Sequence, residues 1–228
     1  LYHEHLLANF PGNPRIGLPV FELEALTPEG SHGMRSMNHV LVVTHWAQEV
    51  LKRQGIEASV VNEGYDPEMF VACHEPRENS APAFVMVGKC EGRKATFETV
   101  NAWEEATRGT ACSLWAHVHN VFAPDMALLV VWRALGESFG LIRKGGMVTF
   151  SEIGGSRLVH LLLGKMPRAQ LVALYGMADF GLFCSRAEGW DLPLMECAAS
   201  GTPAVATTWA GHSEYVLDPW PESLRISQ

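Results

Sequence analysis

The chain has 228 residues, and its 17 Lys and Arg against 25 Asp and Glu give a formal net charge of -8 at pH 7. With 47% hydrophobic and 18% charged residues it has the composition of a globular protein with a substantial core, in one large domain or two small ones. The acidic balance and the lack of any Lys/Arg run exclude a general nucleic-acid binder, and apolar runs such as Met126 to Trp132 are far too short to span a bilayer.

In chain order, the sequence opens on Leu1 rather than a methionine, and LYHEHLLANFPGNP has no cap or turn signal before it. Arg15 to Leu26 (RIGLPVFELEAL) reads as one extended segment, followed by a polar stretch. HVLVVT, His39 to Thr44, is a short buried strand by its continuous apolar run. Trp46 to Gln54 is expected to be a helix with Ala47, Val50 and Leu51 on one face, ended by Gly55. Ala58 to Val61 reads as another strand. In the following NEGYDPEMF, Gly64 and Pro67 signal a turn. Val71 to Ala81 is polar and, with Pro76 and Pro82, has the character of a linker.

A regular alternation begins at Pro82. Strands are expected at Ala83 to Val87, Ser113 to His119 and Met147 to Ile153. Helices are expected at Phe97 to Thr107 (apolar face Phe97, Val100 and Trp103), Asp125 to Phe139 and Pro167 to Met177. A buried strand, Phe180 to Cys184, leads through the loop SRAEGWD to a helix, LPLMECAAS. Asp191 is placed to cap that helix, Pro193 falls in its first turn, and Gly201 with Pro203 ends it. Ala204 to Thr208 is the next strand. Strands alternating with helices predict an α/β fold, a Rossmann-like doubly wound parallel sheet whose ligands lie at the carboxyl ends of the strands.

Two stretches carry the chemistry. VGKCEGRKATF places Lys89, Arg93 and Lys94 between a strand and a helix start. Cations there add to the positive end of the helix and suit a diphosphate, whereas in isolation they read as solvated surface charges. Glu188 lies in the loop before the later helix and Glu196 about one turn inside it. A helix start suits a phosphate or sugar hydroxyl, and a carboxylate one turn in can take both hydroxyls of a ribose. Alone, an E-x7-E pair reads as two solvated acids.

Other constellations give less. His117 and His119 alternate on a strand without a third or fourth ligand at metal spacing, and the His3/His5 pair is no stronger. There is no D-x-D, no G-x-G-x-x-G after a strand and no G-x-S-x-G elbow. His212, in AGHSEY, suits either a ligand contact or a structural role. Cys73, Cys90, Cys112, Cys184 and Cys197 are scattered without a C-x-x-C and read as reduced core thiols. With no signal-peptide pattern, the expected compartment is the cytoplasm.

The stretch SRAEGWDLPLMECAASGTPAV resembles the retaining GT-B glycosyltransferases of family 4, the glycosyl transferases group 1, through its E-G-x-x-L-P-x-x-E and G-x-P-V pattern. Members with EGWNLP and SGHTEY are especially similar to this chain's EGWDLP and AGHSEY. The family's V-G-R-x-x-x-x-K-G turn is matched by Lys89 and Lys94, with Lys89 in place of the commoner Arg, so bidentate gripping is lost while the charge stays. The family's N-terminal domain closes on a pattern that Thr44, Trp46, Asn62, Gly64, Asp66 and Phe70 match.

The resemblance implies that Glu188 contacts the transferred sugar and that the amides of Gly189, Trp190, Asp191 and Leu192 approach sugar and diphosphate. Asp191 stands where Gly or Asn is usual. It further implies that Glu196 holds the ribose and that Lys89 and Lys94, with Arg93 beside them, stabilise the departing diphosphate. The donor would be a nucleotide-diphosphate sugar, with no cofactor and no metal. The acceptor would be a saccharide, lipid or small molecule. The GT-B reading divides the chain into residues 1–70, the end of the acceptor-side domain; 71–82, a linker; and 83–228, the donor-binding domain. On that division the chain is expected to bind a nucleotide sugar but transfer it poorly, with self-association or disorder before about Asp66. A nucleotide-sugar-binding module without activity of its own, or a GT-B-like nucleotide-sugar epimerase, is the alternative; an epimerase would not be expected to carry E-G-x-x-L-P.

Overall fold

A computed structural model describes residues 12–73, 80–144 and 147–216. They form two compact units. One takes the described residues of Leu1–Gly64, Ala187–Asp191 and Thr208–Gln228; the other takes those of Tyr65–Arg186 and Leu192–Thr207. Residues 74–79 of the expected linker lie outside the described residues.

The first unit is built on a small parallel sheet in the order β1 (Ile16–Gly17), β2 (His39–Val42), β3 (Ser59–Val60). Helix α1 (Pro28–Arg35) is capped by Thr27, whose hydroxyl accepts from the Gly30 amide at 3.1 Å, and Pro28 stands in its first turn. Helix α2 (His45–Arg53) is capped in the same way by Thr44, which accepts from the Ala47 amide at 3.1 Å. Ala47, Val50 and Leu51 are its buried face, as the sequence predicts. Met34, Val40, Val42, Ala47, Leu51 and Ile56 form one apolar cluster between the sheet and the two helices. The extended segment Arg15–Leu26 pairs only at Ile16–Gly17.

The second unit holds strands β4 (Ala83–Gly88), β5 (Ser113–Val118), β6 (Phe139–Lys144), β7 (Met147–Glu152), β8 (Leu158–Leu162), β9 (Phe180–Phe183) and β10 (Ala204–Ala206). They join in one sheet, in the order β10-β9-β4-β5-β8-β7-β6. From β10 to β8 every pairing is parallel, with Phe84 opposite Leu114 on one side and Phe180 on the other. The connecting helices are α3 (Thr96–Ala106), α4 (Met126–Leu135), α5 (Arg168–Gly176) and α6 (Leu192–Ala199). Val100 and Trp103 of α3 and Ala127 and Val131 of α4 share one buried cluster with Met86, Leu114 and Leu161 of the sheet. The α/β fold with a mostly parallel sheet is the one the alternation predicts.

The sheet also departs from expectation at its edge. The helix expected to run to Phe139 stops at Leu135, where Gly136 takes a left-handed φ of 62°. The chain then enters β6, which forms an antiparallel hairpin with β7, and β7 pairs antiparallel with β8. Phe97, expected on the apolar face of α3, is 39% exposed, while Val100 and Trp103 are buried. Cys73 is exposed rather than a core thiol; Cys90, Cys112 and Cys197 are buried, and burial pushes the Cys197 thiol up to about 12.

Arg157, 1% exposed, ties the hairpin to α3. Its guanidinium donates to Glu104 at 3.1 Å and Glu152 at 2.6 Å, and stands over the rings of Trp103 and Phe139. Hydrogen bonds from Arg108 and then Arg157 hold the Glu104 carboxyl below the usual carboxylate range; a hydrogen bond from Arg157 does the same for Glu152.

Candidate functional site

The predicted site residues fall in both units. In the second unit, β4 ends at Gly88, a 3-10 turn runs over Gly92–Lys94, and α3 starts at Thr96. Ala95 between them adopts a left-handed φ of 49°. It stands where the resembled family has glycine, a conformation that strains any residue with a Cβ. Lys89, Arg93 and Lys94 therefore sit at the carboxyl end of a strand and before a helix, as the sequence predicts. The loop after β9 is fastened beside them: the Arg186 amide donates to the Arg93 carbonyl at 2.7 Å, and the Arg186 side chain pairs with Glu98 at 2.6 Å. Gly88, Lys89, Lys94, Thr96, Cys184 and Ser185 are among the walls of a cleft of about 240 Å³, counting the space open to solvent.

Two neighbours of this turn are not evident in the sequence reading. Glu91 lies between the cations, with one oxygen 3.1 Å from Lys89 Nζ and the other 2.8 Å from Arg93 Nε. The alternation of charge in KCEGRK is the signal that could have found it. Phe122, 85% exposed in the loop after β5, has its ring centroid 5.4 Å from Lys89 Nζ.

Glu196 is the fifth residue of α6, half-buried, one turn in as expected. Its carbonyl accepts from both the amide (3.0 Å) and hydroxyl (2.9 Å) of Ser200. Gly201, with φ 86°, ends the helix, and the Thr202 hydroxyl donates to the Tyr175 carbonyl at 2.8 Å. Leu192, the first residue of α6, is 40% exposed.

In the first unit, Ala187–Asp191 is held by the Ala210–Glu214 3-10 turn. Glu188, Trp190 and Asp191 are all buried. The Gly211 amide donates to the Glu188 carbonyl at 2.8 Å, and the Tyr215 hydroxyl donates to the carbonyls of Trp190 (2.6 Å) and Asp191 (3.0 Å). The Trp190 and Tyr215 rings lie 5.0 Å apart. Burial, with the nearby Asp191 and Glu188 charges, raises the Tyr215 hydroxyl well above its ordinary range, so it stays a donor. Gly189 is needed for close approach: a Cβ there would lie 2.5 Å from Val20 Cγ1.

His212 is 0% exposed and its Nε2 lies 2.9 Å from Asp191 Oδ2, which favours the structural side of the two roles its sequence position suggests. Asp191 itself has a left-handed φ of 75°. Glu214 completes the clamp: it accepts from the His45 amide at 2.8 Å and from Asn62 Nδ2 at 2.9 Å, and meets His45 Nδ1 at 2.7 Å. Burial pushes the Glu214 carboxyl up, but these hydrogen bonds outweigh it and leave it below its ordinary value. Sequence reasoning missed Gly211, Glu214 and Tyr215 as holders of this loop.

Among the described residues, Glu188, Asp191 and His212 offer metal-ligating atoms within 4.8 Å of one another, and two of those atoms already share a hydrogen bond. His117 and His119 join no such group; His117 Nδ1 faces the Leu162 carbonyl at 3.2 Å, and burial lowers its pKa.

The strands β8-β5-β4-β9-β10 run parallel in that order, with the cationic turn after β4 and the Glu196-bearing helix after β9. The structure matches a UDP-forming α,α-trehalose-phosphate synthase from Burkholderia vietnamiensis with a TM-score of 0.60 and 14% identity, covering 81% of this chain and 48% of that one. It matches a glycosyltransferase from Rickettsia africae with a TM-score of 0.57 and 14% identity, covering 85% and 52%. Residues 151–222 match the family described as "Glycosyl transferases group 1". A D-inositol 3-phosphate glycosyltransferase from Segniliparus rotundus is 36% identical over 95 residues, 42% of this chain and 20% of that protein. The chain thus spans about half the length of these solved structures and a fifth of that relative.

Proposed function

We propose that the chain carries the donor-binding machinery of a retaining glycosyltransferase. Such an enzyme moves a hexose-type sugar from a nucleotide-diphosphate sugar to an acceptor hydroxyl, without a metal and in the cytoplasm. The observation that carries this reading is the cationic turn at the carboxyl end of β4, in a chain whose 151–222 segment matches glycosyl transferases group 1. When the glycosidic C–O bond breaks, negative charge moves onto the departing nucleoside diphosphate. Lys89 and Lys94, fixed before the reaction, stabilise that charge, as preorganised donors do at developing anions. Arg93 adds to the same field. Glu196 takes the ribose hydroxyls and Glu188 a hydroxyl of the sugar, while the amides of Gly189 to Leu192 serve sugar and diphosphate. The sugar's bond to the diphosphate is replaced by one to the acceptor oxygen, and the acceptor's proton leaves with the diphosphate or to solvent.

Calorimetric titration with UDP, GDP and ADP tests the reading directly. One nucleotide is expected to bind in the micromolar to low-millimolar range, about -8 to -4 kcal/mol, with no change on adding EDTA. Absence of binding by all three sinks it, and loss of binding on chelation removes its metal-free part. Incubation with UDP- and GDP-sugars separates transferase from epimerase, since only the latter returns an epimeric nucleotide sugar.

A further inference from the structure

The phosphate turn holds a carboxylate of its own. Glu91 meets Lys89 Nζ at 3.1 Å through one oxygen and Arg93 Nε at 2.8 Å through the other, with its side chain 25% exposed. Glu91 begins the 3-10 turn at Gly92–Lys94, yet its side chain caps none of that turn's amides. The carboxylate faces an ammonium and a guanidinium, the two groups that best receive phosphate oxygens. The two contacts also offset a repulsion, since Lys89, Arg93 and Lys94 stand within six residues ahead of a helix start.

We propose that Glu91 is an internal counter-ion of the phosphate turn, which a phosphorylated ligand must displace to bind. This rests on reading the turn as the diphosphate site. Glu91 keeps Lys89 and Arg93 in place while the turn is unliganded. It also sets a threshold: a diphosphate brings enough charge and oxygens to replace both of its contacts, whereas a monophosphate replaces them poorly. The site therefore discriminates for diphosphate by a competing charge as well as by its attractive groups.

Glu91→Gln keeps the shape of the side chain and removes its charge. Titration with inorganic pyrophosphate and inorganic phosphate, at two salt concentrations, is the test. The variant is expected to bind both about tenfold more tightly, the gain expected from relieving two half-exposed ion pairs. Phosphate should gain more than pyrophosphate, and the salt dependence should steepen. Glu91→Ser serves the same purpose if Glu91→Gln fails to fold. Unchanged or weaker binding by the Glu91 variants, while Lys89→Ala and Lys94→Ala both weaken pyrophosphate, overturns the counter-ion and leaves the diphosphate reading standing. If pyrophosphate binding is indifferent to all of these substitutions, the diphosphate reading fails, and the counter-ion with it.

Discussion

Gly211→Ala probes the clamp that holds the Glu188 loop. A Cβ at Gly211 would lie 2.5 Å from the Gly189 carbonyl oxygen, 2.6 Å from its carbon and 2.7 Å from the Glu188 carbonyl oxygen. All three atoms are backbone, so no side chain can swing aside and the two segments must separate. Overpacking of this kind costs about 1–3 kcal/mol. Separation also breaks the bond from the Gly211 amide to the Glu188 carbonyl, 2.8 Å in the wild type, for about 0.5–1.5 kcal/mol. The sum is roughly 1.5–4.5 kcal/mol, or a fall in melting temperature of roughly 3–18 °C for a chain of this size. Thermal melts followed by tryptophan fluorescence suit the measurement, because Trp190 is buried in the affected loop. Gly64→Ala is the control: no heavy atom lies within 4 Å of a Cβ there, and the change should be near neutral. If Gly211→Ala melts where Gly64→Ala does, the turn does not hold the loop by this contact.

Three further outcomes are expected. Tyr215→Phe, which leaves the Trp190 and Asp191 carbonyls without their hydroxyl donor, should cost about 1–2 kcal/mol of unfolding free energy in denaturant titrations; a neutral result would mean water replaces the hydroxyl. Glu196→Ala should weaken nucleotide binding by about 1.5–3 kcal/mol with the fold intact, and an unchanged dissociation constant in a folded variant removes its ribose role. The Arg157 cluster predicts an acid limb. Glu104 and Glu152 have folded-state pKa values below the unfolded 4.5, so they contribute stability that is present above that value and lost as pH falls through the folded ones. Arg157→Met should cost about 3–5 kcal/mol at neutral pH by stranding the Glu152 carboxylate, while Glu104 keeps its ion pair with Arg108, and should make the fall in stability from about pH 6 to about pH 3 less steep. Equal pH slopes in the two proteins would contradict this account.

The parts of the fold legible in the sequence are those where periodicity and punctuation agree. The stretch from β9 through α6 to β10 shows this, because Pro193 and Gly201 bracket a helix between two short apolar runs. Helix α1 escaped because PEGSHGMR carries two glycines and few apolar residues, although Thr27 and Pro28 announce its start. Strand β6 is hidden behind α4, because only the short turn Gly136–Ser138 separates the apolar residues of the helix from those of the strand. Strand β8 is a weaker signal, since Leu158–Leu162 is interrupted by His160, although Gly154, Gly155 and Gly164 bound it as they would a buried strand. In the candidate site, residue types at fixed spacing were readable. The clamp was not, because Gly211, Glu214 and Tyr215 act on Glu188, Trp190, Asp191, Asn62 and His45 through pairings that only the folded chain creates.

The hairpin at the edge of the sheet also bears on how the chain assembles. Lys144 and Met147 pair and stand three positions apart (147 minus 144) in the chain, so β6 and β7 meet with little loss of loop entropy. Phe84 and Phe180 are neighbours in the sheet but stand 96 positions apart (180 minus 84) in the chain, so joining β9 to β4 must close a long loop. Local pairings form fast and distant ones slowly. The docking of β9 is therefore a late step, and it is β9 that brings Cys184 and Ser185 beside Lys89 and Lys94. A chain in which only its local strands had paired would hold this hairpin and still lack the cleft beside Lys89 and Lys94.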